Sequence, residues 1–278
     1  MCFIDKCEAL CFSKRRKKIY FSHIWHQIIL LDNVLRAEMK NLFYVLFFSG
    51  AVAAGDDSNV VSEENTFYEK QLVCELLNDL KLCLDESRDN DVHLPRYIII
   101  WTHLKKVLDA MGSVFKFVSS DVNDKIKILQ NIEKEQNFIT IEKMMIEEKL
   151  TGKINYEHLD EKNPSASRTL LVLHRAFKMI SLLFGKLSRN ENDGMMSTIA
   201  YESYHSSPMP AHHPWFIRKS IDLAVYTLPD RQSFFKKIGP ELTGEELVEI
   251  FKEVEGFLEE IFSRIELLYI KHELENIP

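Results

Sequence analysis

The sequence predicts an all-α fold, and three observations lead there. Apolar residues recur at helical spacing over long stretches: Leu104, Val107, Leu108, Met111, Val114, Phe115 and Val118 fall at i, i+3, i+4, i+7, i+10, i+11 and i+14, one face of a 3.6-residue period. Turn-formers are scarce, with 9 Gly and 8 Pro in 278 residues, too few for a sandwich or barrel that reverses about every ten residues. A hydrophobic content of 46% is enough to bury one large core or two small ones. No fixed-period repeat is visible, which argues against a helical solenoid.

The elements follow in order. Phe67 to Leu84 reads as a first helix that stops in the polar run Asp85 to Asp91. Pro95 opens a second at its first turn, and the stripe from Leu104 to Val118 predicts that it is long and straight. Ser119 and Ser120 then read as a sharp corner, with Asp121 starting a new helix through Ile126, Leu129 and Ile132. A helix around Ile139 to Leu150 and a polar connection to Pro164 lead to the central helix, Ser167 to Leu187. There Leu170, Leu173, Phe177, Ile180 and Phe184 share one face and Leu171, Leu182 and Leu183 widen it, so this helix sees little solvent. Ser167 is read as its N-cap. Arg168 then lies in the first turn, where the helix dipole disfavours a cation unless an anion is near, and Asp121 is a candidate for that anion. A short helix at Met195 to Tyr204, a Ser-, Pro- and His-rich loop, a helix opened by Pro214 and closed by Pro229, and a long helix whose face is Leu247, Ile250, Phe251, Val254, Leu258, Ile261, Phe262, Ile265 and Leu268 complete the chain.

Residues 1–65 differ in character from residues 66–278. The head carries the basic run Lys14 to Lys18 and the apolar run Leu42 to Ala54, too short to cross a bilayer. Read from Met39, residues 39–54 have the layout of a secretory signal, with a positive start, an apolar centre and an Ala51-Val52-Ala53 ending; this applies if translation begins at Met39, and otherwise the head is an extension. Gly55 to Asn65 is polar linker.

Charge and motifs narrow the function. The first 40 residues hold eight Lys/Arg against four acids, so with a net charge of −7 the remaining 238 carry −11. That balance makes a poor nucleic-acid binder, since such binding draws on phosphate neutralisation. Cys2, Cys7, Cys11, Cys74 and Cys83 show no metal spacing and read as reduced thiols. His205, His212 and His213 cluster in one loop, but without HExxH or a cysteine partner they read as ordinary loop histidines, and no metal or cofactor is expected. The nucleophile elbow GxSxG, the P-loop and GxGxxG are all missing, so no enzyme is expected. Asp121 and Lys125, four apart, project to one side of a helix, which taken alone describes a surface ion pair.

Three ordered segments carry a resemblance: SVFKFVSSDVNDK (Ser113 to Lys125), SRTLLVLHRA (Ser167 to Ala176) and HHPWFIRKSIDLAVYTLPDR (His212 to Arg231). With the ending LLYIKHELENIP, they resemble the glycolipid transfer protein superfamily, and within it the ceramide-1-phosphate transfer group, over roughly Thr66 to Pro278. The resemblance implies a two-layer helical sandwich of about eight helices enclosing a hydrophobic lipid chamber. It implies that Asp121 takes the ceramide amide N–H, that His213 meets the amide carbonyl, that Lys125 marks a phosphate binder where glycolipid binders have asparagine, and that Arg168 grips the phosphate. Val172 departs from the pattern, falling where phosphate binders have a second arginine and glycolipid binders a tryptophan. Arg175 shares its helix face.

The expectation is therefore a carrier that moves ceramide-1-phosphate between membranes, cytoplasmic and transiently membrane-associated, or routed to the secretory pathway if translation starts at Met39. Trp215, matching a membrane-docking tryptophan in relatives, is either that or a core side chain, and Lys105, Lys106, Arg218 and Lys219 are either docking cations or a solvated face. Two alternatives stay open: a sensor that binds the lipid and signals through a protein partner, and a carrier of another headgroup because of Val172.

Overall fold

The computed structural model describes residues 72–87, 90–156, 164–189 and 195–277. The basic head, its signal-like segment, the boundary at residues 65 and 66, Phe67, Cys2, Cys7 and Cys11 lie outside the described residues. Within them the chain folds into ten α-helices: α1 Leu72–Glu86, α2 Leu94–Ala110, α3 Lys116–Gln136, α4 Ile141–Leu150, α5 Ala166–Ser188, α6 Met196–His205, α7 Met209–His212, α8 Trp215–Ala224, α9 Arg231–Ile238 and α10 Gly244–His272. They form the two-layer helical sandwich. The central helix α5 packs against α10, α3, α6, α4 and α7, and α2 lies between α1 and α3.

The apolar stripes become the core. Tyr97, Trp101 and Phe177 are fully buried with ring centroids 5.6–6.4 Å apart, and Phe184 meets Phe251 at 5.3 Å. On α10 the stripe Leu247, Phe251, Val254, Leu258, Ile261 and Ile265 is buried to within 1%. Burying each such side chain contributes about 1.5–3 kcal/mol, so these long faces decide the fold. Of the described cysteines, Cys83 faces this core and burial pushes its thiol up to about 12, whereas Cys74 is partly exposed; both are reduced.

Three expectations are corrected. The stripe from Leu104 to Val118 is not one straight helix: α2 ends at Ala110, Gly112 adopts φ +117°, and a 3-10 turn over Ser113–Phe115 leads into α3. That φ is accessible to glycine and strained for other residues, so the corner falls there. Ser119 and Ser120 lie inside α3 instead; the Ser119 hydroxyl donates to Asp109 across the corner, which tethers the two helices. The cap of α5 is Ser165, whose Oγ accepts from the Arg168 N–H at 3.2 Å, while Ser167 is a buried residue of the first turn. Two short helices, α7 and α9, were not legible in the periodicity.

An anion does sit at the head of α5. Glu148 of α4, 2% exposed, accepts from the N–H groups of Ala166 at 2.6 Å and Ser167 at 2.8 Å. A carboxylate on otherwise orphaned N–H groups at the positive helix end is doubly favoured. Glu148→Ala leaves two buried donors without an acceptor, and is expected to cost about 2–4 kcal/mol of unfolding free energy in a denaturant titration, with Glu148→Gln costing less.

The seam between α5 and α10 is polar as well as apolar. His174 Nε2 meets Glu266 at 2.8 Å and its ring stacks on Phe262 at 4.2 Å; Lys178 Nζ holds both oxygens of Glu259 at 2.5 and 2.7 Å; Ser188 Oγ and Arg189 reach Glu255 at 3.4 and 3.5 Å. Residue numbers rise on α5 as they fall on α10, so the helices run antiparallel. At Gly185, in the last turn of α5, an added Cβ would lie 1.9 Å from the Glu255 carboxylate, so a side chain there would make that carboxylate shift.

Candidate functional site

On α3, Val122, Ile126 and Leu129 turn into the core, and Asp121 and Lys125 stand one turn apart beside that stripe. They form a direct ion pair, with the lysine side chain 18% exposed and the aspartate 46%. The pair lies within α3, not at its start, because the corner is at Gly112.

His213 links α7 to α8 in extended conformation. Burial holds its imidazole below the ordinary histidine pKa; the neighbouring His212 and Arg218 push the same way, and the carboxylate of Asp121 opposes them. Asp121 is therefore within electrostatic reach of His213, which joins two segments ninety residues apart in sequence. His213 Nδ1 lies 2.9 Å from the hydroxyl of Tyr204 on α6, and Arg218 Nη1 donates to the carbonyls of His213 and Pro210, both at 3.2 Å.

The third component is the start of α5. Arg168 is its third residue and is half-buried, Val172 is partly exposed one turn on, and Arg175 follows on the same face. Arg175 donates to the Glu275 carbonyl at 3.3 Å, and the pKa of His212 is depressed by burial and, secondarily, by the Arg175 charge. It is thus engaged with the chain's last turn while lying beside the histidine loop. Since α5 packs on both α3 and α7, the three motif segments adjoin through the central helix.

Trp215 opens α8 and is 67% exposed, so it is not a core side chain. Lys219, Leu223 and Tyr226 continue its face, the last two also strongly exposed. The candidate docking cations are less available than the sequence suggests: Arg218 turns onto backbone carbonyls, Lys219 pairs with Asp222 at 3.0 Å and, on α2, Lys105 pairs with Asp109 at 2.8 Å. Asp222 also takes His205, the last residue of α6, at 2.7 Å. Among the described residues no group of three or more His, Cys, Asp or Glu is placed to hold a metal ion, and no helix is long and apolar enough to cross a membrane.

An Asp–Lys pair on α3, a histidine from a distant segment in electrostatic reach of it, and an arginine near the start of α5 are carried on elements of an all-helical lipid-transfer fold. Residues 92–240 match the glycolipid transfer protein family, and the chain belongs to it. Among its relatives, the ceramide-1-phosphate transfer protein of Homo sapiens is 29% identical over 208 residues, 73% of this chain and 94% of that protein, and its counterpart in Danio rerio is 32% identical over 197 residues, 69% and 92%. The fold superposes on a crystal structure of the human protein in complex with 12:0 ceramide-1-phosphate with a TM-score of 0.68 and 28% identity, covering 75% of this chain and all of that one. A fungal glycolipid transfer protein shares the fold at a TM-score of 0.55 and 16% identity, covering 74% and 96%.

Proposed function

We propose that this protein is a non-enzymatic carrier that lifts ceramide-1-phosphate from one membrane and delivers it to another. The observation that carries the reading is the Asp121–Lys125 ion pair with His213 in electrostatic reach, at the edge of an apolar interior. Asp121 accepts the ceramide amide N–H, His213 donates to the amide carbonyl, and Lys125 and Arg168 hold the phosphate. An ammonium has three donors, so Lys125 can keep Asp121 and still reach a phosphate oxygen. Each charge-assisted contact is worth ~1.5–3 kcal/mol, and each buried CH₂ of the lipid chains adds ~0.8 kcal/mol. Trp215, Leu223 and Tyr226, exposed on one face of α8 and its 3-10 extension, suit a transient contact at headgroup depth.

Transfer between vesicles with catalytic amounts of protein tests this. A carrier moves many lipids per molecule; lipid retained only in stoichiometric amount would instead indicate a sensor, and lipid recovered chemically altered would indicate an enzyme.

Val172 favours a second reading, a related lipid with another headgroup, since an aliphatic side chain beside Arg168 offers a phosphate nothing. Val172→Arg is expected to tighten ceramide-1-phosphate binding roughly tenfold through one added charge-assisted contact. A variant that binds no better than the parent means that the pocket is shaped for a different headgroup.

A further inference from the structure

We infer that Tyr204 is a positioning residue of this site: its hydroxyl donates to His213 Nδ1, fixes the imidazole proton on Nε2, and so makes His213 a hydrogen-bond donor toward the lipid. The inference rests on the carrier reading for its consequence, but its geometry belongs to the lipid-free protein.

The 2.9 Å contact between Tyr204 Oη and His213 Nδ1 has two possible polarities. Tyr204 is 2% exposed, and burial, aided by Asp222 and opposed by Arg218, pushes its phenol up to about 12, so the O–H keeps its proton at neutral pH. His213, held below its ordinary pKa, is neutral there and has one N–H to place. If that N–H were on Nδ1, the phenol hydrogen would need another acceptor; among the described residues Nδ1 is the only hydrogen-bond partner of that oxygen. A buried hydroxyl without an acceptor is disfavoured, so the phenol donates and the ring proton goes to Nε2. A neighbour that fixes a histidine tautomer governs what the other nitrogen can do.

The surroundings hold the ring in place. The two rings stack with centroids 5.8 Å apart at 24°, and Arg218 ties the carbonyls on either side of the short turn. Tyr204 is fixed in turn, since the next residue, His205, is bonded to Asp222 of α8. With an acceptor at Asp121 and a donor at His213, the site complements a secondary amide, which carries one donor and one acceptor.

The test is Tyr204→Phe, which removes one oxygen and keeps the ring stack. Long-range ¹H–¹⁵N correlation spectra of the histidine side chains, taken on the lipid-free protein, are expected to show His213 protonated at Nε2 alone in the parent. In the variant, the histidine titrates at higher pH, because the donor that favoured the neutral ring is gone while His212, Asp121 and Arg218 remain. Affinity for ceramide-1-phosphate in vesicles falls about three- to tenfold, and Tyr204→Phe adds nothing in a His213→Ala background. A proton found on Nδ1 in the parent, an unmoved His213 titration in the variant, or an equal loss in the His213→Ala background overturns the inference. Failure of the parent to bind the lipid overturns the carrier reading instead, and the spectra still decide the role of Tyr204.

Discussion

Asp121→Ala is expected to slow ceramide-1-phosphate transfer by roughly one to two orders of magnitude while the helical circular dichroism stays unchanged. The loss follows from removing an ionised acceptor for the amide N–H, a contact worth ~1.5–3 kcal/mol. The fold survives because the Asp121–Lys125 pair is an i,i+4 pair with its aspartate 46% exposed, and such pairs contribute only ~0.3–0.5 kcal/mol against a total of about 5–15 kcal/mol. Asp121→Asn separates charge from shape: its amide oxygen still accepts, so it retains part of the transfer. Full transfer by Asp121→Ala would remove this residue from the site.

Lys125→Ala and Arg168→Ala are expected to weaken phosphate-bearing lipid selectively. Each loses one charge-assisted contact, about tenfold to a hundredfold for ceramide-1-phosphate, with less than about a threefold change for ceramide itself. Lys125→Ala also releases Asp121 from its ion pair, which leaves the amide acceptor in place for either lipid. Competition binding with the two lipids on the same vesicles measures the ratio. Equal losses on both would mean that the phosphate does not sit against these cations.

The long amphipathic elements could be read in advance because their apolar period extends over many turns: the buried residues of α5 and α10 fall on the faces their spacing implied, with Leu182, Ile250 and Phe262 only half-buried at the margins. The corner after α2 could not, since the apolar period runs unbroken through Met111, Phe115 and Val118, and only the backbone angle at Gly112 breaks it. Four-residue α7 and eight-residue α9 are too short for a period to show. Asp121 and Lys125 were visible as neighbours by helical spacing alone, but their meeting with His213 needed the fold or the family resemblance. Glu148 and Tyr204 escaped notice for a related reason. One is a glutamate among several on a helix of mixed character, the other an aromatic nine residues from its histidine with the short helix α7 between them, and their roles exist only once α4 meets α5 and α6 meets α7.

The three acids of α10 that meet α5 have a mechanical consequence. Glu255, Glu259 and Glu266 engage partners spread along the length of α5, like teeth in a rack. A piston stroke of one helical turn, ~5.4 Å, would disengage all of them together and drive the Glu255 carboxylate off its seat at Gly185. The pairs are therefore expected to brace α5 and α10 against sliding along one another.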